Sequence, residues 1–276
     1  MPFRPILLIP FICTAASVYA AAPPSLEDGY RQMYNLQFAE AHETFHEFQS
    51  LHPQDPMGPA SDAAAYLFSE FDRLHILQSE FFVQEQHFYT DNKLTPDPVV
   101  KQKFDAALNV TLKLAGPAPS DSNAMFASLL ASGLRSDYMA LIEKRYRAAF
   151  QDMKGARLKA EKLLAHDPQC YDAWIAVGVE NYMLSIKAAP LRFLLWLAGG
   201  EMDRNLGIQK LHLTAEKGHY LAPFARLLLA VVALRDGDKT QARNILDGLS
   251  REYPRNSLYV QELARLQPPS KGGLAR

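Results

Sequence analysis

The sequence predicts an all-α chain, a helical-repeat solenoid with degenerate repeats and a C-terminal capping helix, and three observations carry that expectation. An alanine is followed twelve residues later by a proline at three places: Ala41 and Pro53, Ala156 and Pro168, Ala242 and Pro254. Within those segments Phe45, Ala160 and Leu246 stand four positions after the alanine, and Phe48, Leu163 and Leu249 seven after it, which is one face of a helix. No run of alternating apolar and polar residues bounded by turn signals occurs, so no sheet is assigned.

The elements follow in order. Arg4 precedes an apolar run over 6–18, and Val18-Tyr19-Ala20 offers the small residues that a signal peptidase reads, so residues 1–20 are expected to be a signal peptide. The run is too short to span a bilayer and no later stretch reaches 18 apolar residues. An exported chain is expected, periplasmic or secreted, without a transmembrane span. Cys13 follows Pro10-Phe11-Ile12, which lacks the small residues that precede a lipidated cysteine. After cleavage only Cys170 remains, so no internal disulfide can form and the thiol reads as a small buried hydrophobe.

Residues 21–267 read as a single helical-repeat domain, with repeats near 22–55, 136–170, 171–221 and 222–255. Each proline ends its helix because it lacks an amide donor and pushes its predecessor out of αR geometry. Each alanine lets two helices approach closely. Between the first two repeats, 59–146 is helical but less regular, with helices expected over 63–81, 99–114 and 122–134. The turns Thr95-Pro96-Asp97-Pro98 and Gly116-Pro117-Ala118-Pro119 separate them, and 84–98 is the longest break. Pro168 and Pro254 lie 86 residues apart, two repeats of 34 plus 18, which places an insertion over 185–203. A helix over 256–265 is expected to cap the array, because the last repeat of a solenoid has no neighbour to cover it. Residues 268–276 read as a disordered tail.

With 48% hydrophobic and 21% charged positions the chain can bury a substantial core. A net charge of -1 from 29 basic and 30 acidic side chains, with no block of five like charges, gives no electrostatic footprint for nucleic acid.

The repeat resembles the tetratricopeptide (TPR) family. Tyr171-Asp172-Ala173-Trp174-Ile175-Ala176-Val177-Gly178 places Trp174 and Gly178 where that family has its tryptophan and glycine, and Gly29 falls twelve before Ala41, again a family position. The tyrosine three after the glycine is replaced by Gln32 and Asn181, with Tyr182 adjacent to the latter. Glu143-Lys144-Arg145-Tyr146, Gly178-Val179-Glu180-Asn181-Tyr182 and Tyr253-Pro254-Arg255-Asn256 are also similar to exported bacterial TPR proteins of unassigned biochemical role. The resemblance implies helical hairpins whose first helices line a concave groove for a protein or peptide. Tyr30, Met33 and Tyr34 on one such helix, and Val179 and Tyr182 on another, are then the candidate groove residues. It implies no activity and no cofactor.

His42-Glu43-Thr44-Phe45-His46 is a literal H-E-x-x-H, which on a helix sets two imidazoles one turn apart to hold Zn²⁺ with the glutamate as general base. Gln49 and His52 stand where metzincins have their helix-ending glycine and third histidine. Gln49 lets the helix continue, and six residues beyond His46 is a rotation of about 240°, so His52 points away. A gluzincin would draw its third ligand from a glutamate on a following helix, and Glu70, 24 residues beyond His46, is available but a poor candidate. Phe45 already has a packing role, and the motif starts too soon after the leader for a preceding sheet. No metal is therefore assigned.

Pro190-Leu191-Arg192-Phe193-Leu194-Leu195-Trp196-Leu197, inside the insertion, reads as a helix packed across the repeat or as a contact for a partner or a membrane surface, with Phe193 and Trp196 as contact residues. Asn109-Val110-Thr111 matches a glycosylation acceptor on an expected helix. No phosphate loop, nucleophile elbow or Cys-x-x-Cys pattern occurs. The expected function is a non-enzymatic protein- or peptide-binding scaffold of the cell envelope. The alternatives are an exported zinc metalloprotease on 42–46 and a peripheral membrane adaptor through 190–197.

Overall fold

The computed structural model describes residues 23–77 and 94–266. The expected leader at 1–20, the tail at 268–276 and most of the break at 84–98 lie outside them.

Every regular element among the described residues is helical. The α-helices are α1 Leu26–Tyr34, α2 Phe38–Leu51, α3 Met57–Arg73, α4 Pro98–Ala115, α5 Ser122–Asp137 and α6 Tyr146–His166, then α7 Trp174–Ser185, α8 Ala189–Leu197, α9 Arg204–Lys217, α10 Ala222–Arg235, α11 Lys239–Glu252 and α12 Ser257–Arg265. A π-helical turn, Tyr138–Ile142, extends α5, and a 3₁₀ turn, Tyr171–Ala173, leads into α7. None of these helices is long and apolar enough to cross a membrane.

Local chemistry starts many of them. The side chains of Ser25, Asp97, Asp121, Asp203, Asp238 and Asn256 accept hydrogen bonds from the first free amides of α1, α4, α5, α9, α11 and α12. Three boundaries differ from expectation, one being the end of α3 at Arg73 where the sequence predicts a helix running to 81. α3 starts at Met57 rather than 63, because Pro59 falls in the first turn, where an amide has no intrahelical acceptor to lose. α5 runs past Leu134 to Asp137 and into the π turn.

Helical pairs stack in neighbour order: α1 on α2, α3 on α4, α5 on α6, α10 on α11. Ala41, Ala156 and Ala242 are all buried, as are Phe45, Ala160, Leu163, Leu246 and Leu249. α7 pairs with α9 instead of α8. A Cβ added to Gly207 would come within 2.6 Å of the Tyr182 amide, and one on Gly178 within 3.0 Å of Leu211, so two glycines allow this crossing where the alanine-to-proline pattern is missing.

The first and last hairpins touch. Tyr34 Oη donates to the Tyr220 carbonyl at 2.9 Å, Asn256 Nδ2 to the Tyr34 carbonyl at 2.8 Å, and the Arg255 amide to Asn35 Oδ1 at 3.0 Å. These bonds bring together residues 186 to 222 positions apart in sequence.

Candidate functional site

α1, α3, α5, α6, α7 and α10 turn apolar side chains toward a common interior, where a cavity open in part to solvent remains. Four of the five candidate groove residues line it: Tyr30, Met33, Tyr34 and Val179. The first three are buried and Val179 half-buried, so they form an inner wall rather than an exposed concave face. Tyr182 does not reach it. That ring is buried with Leu211, Leu229 and Val232 and lies under the Arg204 guanidinium, 5.9 Å away, because the close α7–α9 crossing turns it away from the interior.

Rings hold the wall in place. Tyr30 packs on Tyr220 at 4.8 Å and edge-on against Phe45 at 5.6 Å. The Tyr220 backbone is held by buried Asp172, whose carboxylate accepts from the His219, Tyr220 and Leu221 amides at 2.8, 3.1 and 2.8 Å. Tyr34, Phe68 and Phe224 also line a second, smaller cavity that reaches Leu258 and Tyr259 at α12.

Sequence reasoning missed what α5 contributes. Phe126, Leu130, Gly133, Leu134 and Asp137 all line the cavity. Asp137 stands eleven residues after Phe126, three turns and about 20° further round, so its Cβ lies in the middle of the cavity-facing stripe. A Cβ on Gly133 would meet no atom within 4 Å: the missing side chain leaves open space. The Asp137 carboxyl makes no hydrogen bond or ion pair among the described residues, and burial pushes its pKa up to about 7. The available signal was a charge seven positions after Leu130 on an apolar stripe.

The H-E-x-x-H lies outside this cavity. α2 continues through Gln49 to Leu51. His42 Nδ1 is 2.5 Å from Asp62 Oδ1 and His46 Nε2 is 3.0 Å from Asp62 Oδ2, so both imidazoles meet one buried carboxylate of α3 at hydrogen-bond distance, with no space for an ion between. Glu43 is exposed. Glu70 is elsewhere, accepting from Arg73 Nε and Nη2 at 2.8 and 2.7 Å and from the Asp97 amide at 2.8 Å. No group of three His, Cys, Asp or Glu among the described residues is placed to hold a metal ion.

α8 buries nothing. Phe193, Trp196 and Leu197 are 59%, 61% and 63% exposed, so the apolar run is not packed across the repeat. Its base is fastened polar-wise: Arg157 bonds buried Glu180 at 3.1 Å and Glu201 at 3.1 Å, the Glu201 amide donates to Glu180 Oε1 at 3.1 Å, and the Asp203 amide to Asn181 Oδ1 at 2.9 Å. Burial of the Glu180 carboxyl raises its pKa, an effect that the Glu201 amide and Arg157 oppose. Burial pushes the half-buried Cys170 thiol to about 11, which keeps it protonated and a poor nucleophile.

The cavity is thus mainly apolar, with one carboxyl on its wall that has no hydrogen-bond partner among the described residues. Comparison with protein-family models, curated proteins and solved structures finds no match for the chain.

Proposed function

We propose that this chain is a non-enzymatic scaffold of the cell envelope, built on degenerate TPR-like repeats, that takes an apolar segment of a protein or peptide partner into its central cavity. The observation that carries the reading is the cavity itself, walled by residues of six helices and widened by the absent side chain of Gly133. Rigid rings on its wall give large contact area at low entropic cost.

Gly133→Leu tests this, because the new side chain enters empty space and a helical glycine is replaced by a better helix former. Peptides selected from a displayed library on the wild-type chain are expected to bind Gly133→Leu at least tenfold more weakly, with unfolding midpoints unchanged or raised. Equal binding to both, or failure to select any peptide, overturns the proposal.

A second reading rests on one observation, that no residue of α8 is buried and most are exposed. Phe193, Trp196 and Leu197 form an apolar arc beside Arg192, the residue types that enter a membrane interface. The two readings are compatible, since α8 and the cavity use different residues.

A further inference from the structure

Among the described residues, Asp137 is the one charged residue on the cavity wall. The described residues around it offer no neutralising partner. From α1, Tyr30 and Tyr34 face the same space, but Ser61 Oγ donates to the Tyr30 hydroxyl at 3.3 Å and Tyr34 donates to the Tyr220 carbonyl. Arg135, two residues before Asp137, is paired with Asp152 of α6 at 2.5 and 3.0 Å. Lys159 of α6 donates to Ser132 Oγ at 2.7 Å and to the Ser128 carbonyl at 3.2 Å. α3 contributes Ala64 and Phe68, α7 Ile175, Ala176 and Val179, and α10 Phe224, none of them titratable. The helix also departs from α geometry at the next residue, Tyr138, where the π turn begins, a distortion that recurs at functional sites.

A carboxyl in the middle of an apolar stripe costs stability and adds no internal bond. We infer that Asp137 makes the cavity selective for a ligand carrying a cation, an ammonium or guanidinium, on an apolar stem: the stem fills the space beside Gly133 and the cation pairs with the carboxylate. This rests on the binding reading above and names the chemistry that its partner must present. Proton linkage supports it. With the free carboxyl titrating near 7, a cationic ligand that requires the ionised form expels a proton on binding near neutral pH.

Three probes of one shape test the inference by calorimetry on the whole chain: 2-phenylethylamine as the chloride, uncharged 2-phenylethanol and anionic 3-phenylpropanoate. The amine is expected to bind at least tenfold more tightly than the alcohol at pH 8, and the anion more weakly than either. Asp137→Asn should remove the amine's advantage and leave the alcohol unchanged. Amine affinity should fall about tenfold per pH unit below 7, and titrations in two buffers of different ionisation enthalpy should show a released proton that Asp137→Asn abolishes. Gly133→Leu should weaken all three probes.

If amine and alcohol bind equally, or if Asp137→Asn changes neither, the selectivity is overturned while the cavity stands. If no probe binds, both fall together. The source of the cation is read from the selected peptides. Replacing their Lys or Arg by norleucine weakens binding at least tenfold where the partner is a peptide, whereas amine binding with no selectable peptide leaves the selectivity intact and removes the peptide reading.

Discussion

Asp137, half-buried on the cavity wall, and the buried Asp172 have opposite surroundings. Asp172 accepts three backbone amides and so ties the α9–α10 turn to the start of α7. Asp137 accepts nothing from the described residues, and its folded-state pKa of about 7 lies above the ordinary 3.8. A raised acid favours folding in its neutral form, so its contribution is fully present below about pH 4 and is lost as pH rises through 7. Asp137→Asn is therefore expected to match the wild type in stability at pH 4 and to exceed it by about 1–2 kcal/mol at pH 8, a figure discounted for the carboxyl's access to solvent through the cavity mouth. Urea denaturation at the two pH values measures the difference, and equal stability at both would mean that the carboxyl is not desolvated. At this scale the sequence misled as well as informed. His42-Glu43-Thr44-Phe45-His46 satisfied a catalytic spacing, but the partner that engages both histidines, Asp62, is 16 and 20 positions away and carries no motif. Spacing within one helix says where two imidazoles stand; it does not say what faces them.

Among the elements, α8 carries the sharpest contrast between pattern and placement. Its apolar density is that of a core helix, yet α7 and α9 close on each other through Gly178 and Gly207 and leave it outside. The close crossing excludes any larger element from between the pair. With Phe193 and Trp196 exposed, changing them should not disturb the fold. Phe193→Ser with Trp196→Ser is expected to leave the unfolding midpoint within about 0.5 kcal/mol of wild type. The same change should at least halve the fraction of protein that floats with vesicles of mixed zwitterionic and anionic phospholipid. Flotation that is negligible in the wild type, or equal in both, removes the membrane reading of α8. The other helices were legible to within a few residues where caps mark them, as at Asp97, Asp121 and Asn256. α3 was not, because Pro59 reads as a break in sequence and is harmless in a first turn.

At the scale of the molecule, contacts between the first and last hairpins join residues about 190 to 220 positions apart. Asn256 has two roles there: its Oδ1 caps α12 through the Leu258 amide at 3.0 Å, and its Nδ2 holds the Tyr34 carbonyl at 2.8 Å. Asn256→Ala is expected to cost about 1–3 kcal/mol and to speed amide exchange in α1 as well as in α12. Asp238→Ala, which removes only a local cap from α11, should leave α1 protection unchanged. If exchange in α1 is the same in both variants, the bond between the hairpins does not contribute to holding the first one. The cavity depends on this closure, since α1 brings Tyr30, Met33 and Tyr34 to a wall that α10 completes with Phe224.

The sequence by itself determined the all-α class, the buried faces headed by Ala41, Ala156 and Ala242, and the presence of aromatic residues on the first helix. These are properties of 3.6-residue periodicity and of proline, which act within about ten residues of chain. Only the tertiary structure decided that α1 meets α10 and α12, that α8 stands in solvent, that two histidines meet Asp62, and that Asp137 and Gly133 share a cavity. Those outcomes depend on which helices cross closely and at what distance, and that is set by packing between residues far apart in sequence.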